Sequence, residues 1–242
     1  MRYQFLLPGM LLWAVLGLAQ PTAVAPEAAM VPEPASAQTI LVVGATRGTG
    51  LETVRLLIEK GMPVVAFARP TSDLSALEAL HIDIIAGDAL VGADVTAAIE
   101  QGSWRAVVTT LGCNRCKNPP DFVGNRNLFD AMAASPSRRV VMISTIGAGD
   151  SKPALPWFVR WILRGPIALK EQAEAHLVAS GLDYTIIRPG NLDSDEASGR
   201  GVLVEDPTRG GSISRADLAM LIVSAIENDA TIGKTYNAFA EK

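Results

Sequence analysis

The sequence predicts an α/β protein built on a doubly wound parallel sheet, and three observations carry that reading. From Thr39 to the C-terminus, short apolar runs alternate with stretches of helical spacing. The runs are β-branched and nearly uninterrupted, as strands buried on both faces of a parallel sheet must be. The alternation continues without an internal repeat or a second boundary, so residues 39–242 are expected to be a single domain.

The elements follow in order. Residues 40–43 (Ile-Leu-Val-Val) make the first strand, and the helical spacing of 51–60 stops at Gly61, with Pro63 just beyond it. Residues 64–68 (Val-Val-Ala-Phe-Ala) form the second strand, 74–80 a weaker helix and 82–86 (Ile-Asp-Ile-Ile-Ala) the third strand. Then come a helix at 94–101, a strand at 106–110, a helix at 121–134 and a strand at 140–143. A helix at 167–180 ends at Gly181, and a strand at 185–187 follows. Ser214-Arg-Ala-Asp217 is an S-x-x-D capping pattern that opens the last helix, 215–228, and Tyr236 lies in a last strand segment.

Composition narrows the function. The 242 residues carry 21 Lys plus Arg against 25 Asp plus Glu, a net charge of −4, and 49% are apolar. An apolar fraction that high argues against disorder, and no cationic excess suggests a nucleic-acid partner. Ahead of the domain, residues 5–19 contain no charge and twelve of the fifteen are apolar. Arg2 precedes them, and in residues 21–37 six Ala and four Pro make a linker. Positive, apolar, then small residues is the layout of a secretory signal, with Ala35-Ser36-Ala37, Gly17-Leu18-Ala19 and Ala23-Val24-Ala25 as competing cut sites. A membrane anchor is the other reading, although fifteen residues fall short of the ~20 that a spanning helix needs. The domain is therefore expected to be exported (periplasmic or extracytoplasmic) or membrane-anchored.

The first strand runs into Gly44-Ala-Thr-Arg-Gly48-Thr-Gly50 and then a helix. Glycines there let backbone N–H groups approach a pyrophosphate at a helix N-terminus, where the helix dipole also favours negative charge. At the first strand-to-helix junction of an α/β chain this marks a dinucleotide site, and the fold becomes Rossmann-type. Where NAD-binding sheets place a carboxylate after the second strand, this chain has Arg69, with Arg47 inside the turn and Thr71 and Ser72 nearby. A cation there favours the 2′-phosphate of NADP over NAD, unless Arg69 and Arg47 are merely solvated.

The G-x-x-x-G-x-G spacing and an ordered set of further motifs resemble the short-chain dehydrogenase/reductase superfamily, in its atypical NmrA-like and biliverdin-reductase-B-like branch. The set comprises Ala68-Arg69-Pro70, Gly87-Asp88, Thr109-Thr110-Leu-Gly112, Gly124-Asn-Arg-Asn-Leu128, Ile143-Ser144-Thr145 and Lys170-x-x-x-Glu174. Its most specific members are Ser180-Gly-Leu-Asp-Tyr-Thr-Ile-Ile-Arg-Pro-Gly190 and Ile213-Ser-Arg-Ala-Asp217. The resemblance implies cofactor contacts from Gly44, Thr46, Arg47, Gly48, Thr49, Gly50, Arg69 and Thr110. It also implies that Asp88 accepts from the adenine amino group, Ala89 packs on that ring, Lys170 holds ribose hydroxyls and Pro189-Gly190 passes the carboxamide. Against these stand blander roles: a turn cap for Asp88, a surface pair with Glu174 for Lys170, a plain turn for Pro189-Gly190.

The better-known branch uses a Tyr-x-x-x-Lys pair as proton donor, but Pro166 stands four residues before Lys170. That puts the usual carbonyl reduction in doubt and leaves hydride transfer to a flavin, quinone or similar small-molecule acceptor. Ser144 and Lys170 are the candidate catalytic residues; for Ser144 the alternative is a turn hydroxyl. The competing function is a non-catalytic NADP-binding redox sensor, scaffold or assembly factor. Cys113-Asn-Arg-Cys116 holds both cysteines: a structural disulfide, inert thiols or a redox pair favoured by Arg115, and too few ligands for a metal. Residues 157–164 (Trp-Phe-Val-Arg-Trp-Ile-Leu-Arg) are expected in the core, or else as a substrate wall or a membrane or protein contact. A cytosolic cofactor beside a secretory start is a conflict; if the domain is anchored, cofactor supply argues for a cytosolic face.

Overall fold

In the first strand, Ile40–Val43 (β1), every residue is buried: Ile40 and Val42 face one apolar layer, Leu41 and Val43 the other. That two-sided burial is what makes the run continuous rather than alternating. The computed structural model describes residues 39–113 and 116–241. Every reading of residues 1–38, and the role given to Arg115, lies outside the described residues.

The helix Gly48–Glu59 (α1) leads to Val64–Ala68 (β2), a short helix Ser75–Glu78 (α2) and Asp83–Ala86 (β3). Gly92–Glu100 (α3), Ala106–Thr109 (β4), Val123–Ala133 (α4) and Arg139–Ile143 (β5) follow. Next come a 3-10 turn at Gly149–Ala154, the helices Trp157–Ile162 (α5) and Arg164–Ala179 (α6), and Asp183–Pro189 (β6). Three strands not foreseen from the sequence pattern, Asn191–Asp193 (β7), Gly201–Val204 (β8) and Ser212–Ser214 (β9), precede Arg215–Glu227 (α7) and Lys234–Ala240 (β10).

The main sheet has the order β3-β2-β1-β4-β5-β6-β10-β8, parallel throughout except for β8, which pairs antiparallel with β10. β1 pairs with β2 on one side and β4 on the other, so the strand order reverses between β1 and β4. Open sheets bind ligands at such a switch point, outside the carboxyl ends of the strands. One apolar layer is closed by α1 and α7 through Val54, Leu57, Leu218 and Ile222; the other by α3, α4 and α6 through Ile99, Phe129, Met132 and Leu177. β3 is the one predicted strand that is not buried on both faces, because it is an edge strand bonded only to β2. Among the described residues no helix is long and apolar enough to cross a membrane.

The predicted core placement of residues 157–164 is overturned. Trp157, Phe158, Trp161 and Ile162 are 73%, 51%, 64% and 66% exposed, and α5 buries none of its residues.

The capping pattern at α7 does more than end a helix. Ser214 Oγ accepts from the Asp217 N–H at 3.0 Å, as an N-cap should. The Asp217 carboxylate in turn accepts from the Ser198 N–H and hydroxyl (3.0 and 2.8 Å) and from the Gly199 N–H (2.8 Å), fastening the 194–200 loop. Burial pushes this carboxyl up, but those bonds and that from Ser214 outweigh it and hold it below its ordinary value. A depressed carboxylate stabilises the fold above its unfolded-state pKa, and that stability is lost as pH falls through the lower, folded-state value. We expect Asp217→Ala to cost about 1–3 kcal/mol at neutral pH, with a shallower loss of stability on acidification than the unaltered chain. Urea unfolding at a series of pH values checks both; parallel pH profiles would remove Asp217 as the source.

Candidate functional site

At the switch point a cleft of about 1720 Å³ opens over the carboxyl ends of the strands. Its floor begins where β1 ends. Gly44 has φ +88° and Gly48 φ +56°, the left-handed region that glycine enters without strain. α1 starts at Gly48 with no side-chain cap and no acidic residue in its first turn. Its leading N–H groups, which no helix can satisfy internally, are thus left to an anionic ligand. The chain packs so closely here that a Cβ on Gly50 would fall on the Gly44 carbonyl oxygen. Thr110, just past β4, ties the turn down: its N–H donates to Val43 O (2.9 Å) and its hydroxyl to Gly44 O (3.0 Å).

Thr46, Arg47, Thr49 and Arg69 line the same end of the cleft. Arg47 and Arg69 are exposed and form no ion pair among the described residues, as cations waiting for a phosphate would be. Arg215, which the sequence reading missed, joins them from the start of α7, held by Asp193 O (2.7 Å) and Ser194 Oγ (2.9 Å). Asp88 and Ala89 follow β3 into the cleft. The turn-cap reading of Asp88 holds for one oxygen, which accepts from the Leu90 N–H at 3.0 Å.

The other end of the cleft is built on β5 and α6. Ser144 donates its N–H to Ile187 O, but its hydroxyl is buried and has no hydrogen-bond partner among the described residues. A buried polar group without a partner is costly, which makes this hydroxyl a candidate for a ligand contact. Lys170 is 7% exposed, and its ammonium donates to Leu111 O (2.5 Å) and Ile143 O (2.8 Å). Burial lowers its pKa, opposed by the nearby carboxylates of Asp121 and Glu174. The surface pairing of Lys170 with Glu174 is therefore corrected: both are buried, and Glu174 binds Arg188 instead, at 2.7 and 2.9 Å.

Asp121, also missed from the sequence, stands 4.0 Å from the Lys170 ammonium and accepts from the Cys113 N–H at 2.9 Å. Cys113 and Cys116 form a disulfide on the cleft wall. Pro166 lines the cleft too, at the position where a catalytic tyrosine would stand by resemblance. Pro189 borders it from the end of β6, with its carbonyl taken by the Ile146 N–H. All the residues singled out from the sequence for cofactor or catalysis thus meet in one cleft. Among the described residues no group of three or more His, Cys, Asp or Glu is placed to hold a metal.

The sequence matches a family model described as NAD(P)H-binding over residues 44–229. A chloroplastic protein of Arabidopsis thaliana is 31% identical over 77% of this chain and 71% of its own length. The chloroplastic protein TIC 62 of Pisum sativum is 27% identical over 84% of this chain but only 43% of its own. Sanguinarine reductase of Eschscholzia californica is 32% identical over 48% of this chain and 44% of its own length. Among solved structures, the anaerobilin reductase ChuY of Escherichia coli O157:H7 superposes with a TM-score of 0.75 at 26% identity, covering 84% of this chain and 98% of that one.

Proposed function

The chain belongs to the NAD(P)H-binding family, in the atypical short-chain dehydrogenase/reductase superfamily, and from that premise we propose that it is an NADP-dependent reductase of a flat, conjugated acceptor such as a flavin or quinone. The observation that carries the reading is the buried, unpartnered Ser144 hydroxyl facing a cleft whose opposite end is a glycine-lined helix N-terminus. The residues fit the dinucleotide: a Cβ would clash at Gly44 and Gly50, Gly48 holds a positive φ, and Arg47, Arg69 and Arg215 supply positive charge.

The bound dinucleotide supplies a hydride, and with one proton from solvent the acceptor gains two electrons while NADPH becomes NADP⁺. Lys170 has two of its three N–H donors on Leu111 O and Ile143 O, leaving the third for a ribose hydroxyl. Ser144 would hydrogen-bond an acceptor oxygen or nitrogen. Pro166 in place of a phenol removes the usual proton donor, which suits acceptors whose reduced form takes its proton from water. Two of the similar proteins are named as reductases, sanguinarine reductase and an anaerobilin reductase, which supports a reductase role here.

NADP rather than NAD is the finer part of the proposal and rests on Arg69 and Arg47. We expect Arg69→Asp to weaken NADPH binding roughly 10- to 100-fold, the worth of one charge-assisted hydrogen bond, with little change for NADH. Equal effects on both nucleotides would take Arg69 out of the site. The wider test titrates the chain with each nucleotide and then follows nicotinamide absorbance as flavins and quinones are added. Binding without turnover across the panel would favour the second reading, a sensor, scaffold or assembly factor, which Pro166 and the exposed α5 also suit. For residues 1–38 we retain the proposal of export or anchoring, with the cofactor side cytosolic if the domain is anchored.

A further inference from the structure

Eight large hydrophobic side chains are exposed among the described residues, and four of them, Trp157, Phe158, Trp161 and Ile162, crowd into the six residues of α5. Scattered apolar side chains need no explanation, but a contiguous cluster of this kind marks an interaction surface. The charges around it are one-sided. From Ser151 to Lys170 the chain contains Lys152, Arg160, Arg164 and Lys170 and no Asp or Glu, although the whole protein carries −4. Lys152 is paired with Glu171 and Lys170 is buried, so the cations free to act outward are Arg160 and Arg164. Arg164 lies over the Trp161 ring at 5.0 Å and donates to Trp161 O at 3.1 Å, which holds its charge at the edge of the apolar cluster.

We propose that α5 is a bilayer-docking face that seats the domain on an anionic lipid surface. Tryptophan and phenylalanine beside arginine is the composition that settles at the headgroup boundary, with the rings among acyl chains and the guanidinium groups on lipid phosphates. The cation-only flank supplies the charge complementarity, and two turns of helix give a convex patch suited to a fluid surface rather than a groove for a folded partner. α5 also runs straight into Leu163 and Pro166, which line the cleft. Docking here sets the mouth of the cleft at the interface, so the acceptor is a ring compound that partitions into the bilayer. That last step rests on the reductase reading; the docking face does not.

The test uses the full chain carrying Trp13→Phe, which leaves Trp104, Trp157 and Trp161 as the tryptophans. Trp104 is 4% exposed, so quenching by brominated acyl chains reports α5 alone, whatever residues 1–38 do. Vesicles of brominated phosphatidylglycerol and brominated phosphatidylcholine should quench the fluorescence, and vesicles of brominated phosphatidylcholine alone should quench less. Adding Phe158→Ser and Ile162→Ser keeps both reporters and should weaken α5 partitioning roughly tenfold, with NADPH binding retained as evidence of folding. Arg160→Glu with Arg164→Glu should abolish the preference for the anionic lipid. Absence of quenching overturns the proposal. So does quenching that the serine variant leaves unchanged. If the tryptophans are instead shielded from an aqueous quencher without lipid, the face belongs to a second copy or to the chain's own N-terminal run, and the proposal falls. Quenching without turnover of a bilayer-dissolved quinone would support the docking face and overturn only the step that takes the acceptor from the bilayer.

Discussion

Gly50→Ala should weaken nucleotide binding at least roughly 100-fold while leaving the domain folded. The added Cβ would land on the Gly44 carbonyl oxygen, in the turn that forms the phosphate cradle, and come within 2.7 Å of Thr110 Oγ1, which ties that turn down. The nearest obstacle, Gly44, is backbone. The backbone must therefore open, and opening it withdraws the N–H groups at the start of α1 from the pyrophosphate. Two charge-assisted hydrogen bonds lost or misaligned account for the expected magnitude, since each is worth about 1.5–3 kcal/mol. Gly92→Ala is the matched control: it too opens a helix, α3, and its Cβ would meet nothing nearer than Asn127 at 3.9 Å. Calorimetric titration with NADPH and a thermal melt on each variant separate lost binding from lost folding. Unchanged affinity in Gly50→Ala would remove the glycine turn from the site.

What was legible in the sequence was what local pattern encodes. β1, β2, β4, β5 and β6 showed themselves as continuous β-branched runs because two apolar layers bury them, and the glycine turn was legible because close backbone approach admits no other residue. What depends on distant contacts was not legible. β7 and β9 are three residues each and exist because Asn191 and Gly190 pack against Gly211, twenty residues on, with no room for a Cβ at Gly190. Asp121 lines the cleft and meets Lys170 and Cys113 there, and nothing in its own sequence neighbourhood announces that. The aromatic content of residues 157–164 favoured the core, although Arg160 and Arg164 flank apolar positions at helical spacing and so left an outward-facing helix open. The buried charges had a signal that went unused: Arg188 sits in an apolar strand run and Glu174 one turn after Lys170, and neither can be buried without a partner.

That pair sets the largest expected effect on stability. Arg188 and Glu174 have side chains only 8% and 7% exposed, and two hydrogen bonds join guanidinium to carboxylate in a fork. Burial alone would loosen the guanidinium proton, but Glu174 and Asp150 more than offset it and the Arg188 pKa is raised. Asp150 is 73% exposed and contributes little, so the energetics lie between β6 and α6. Arg188→Met should destabilise the domain by about 3–5 kcal/mol, because it leaves the Glu174 carboxylate buried without its counter-charge. The pH dependence then identifies the cause. An uncompensated buried glutamate has a folded-state pKa raised above its unfolded value near 4.3, so the variant keeps its stability below that value and loses it as pH rises toward the raised one. Urea unfolding of Arg188→Met should accordingly show a deficit against the unaltered chain that shrinks on acidification. Arg188→Met combined with Glu174→Met should restore much of the loss at neutral pH, since two apolar groups carry no unpaired charge. A deficit independent of pH and unrelieved by the second substitution would mean that Arg188 acts by packing alone. The pair also lies beside the cleft: Glu174 is one turn past Lys170 on α6 and Arg188 one residue before Pro189, so the bond fastens the two elements that frame the Lys170 end of the cleft.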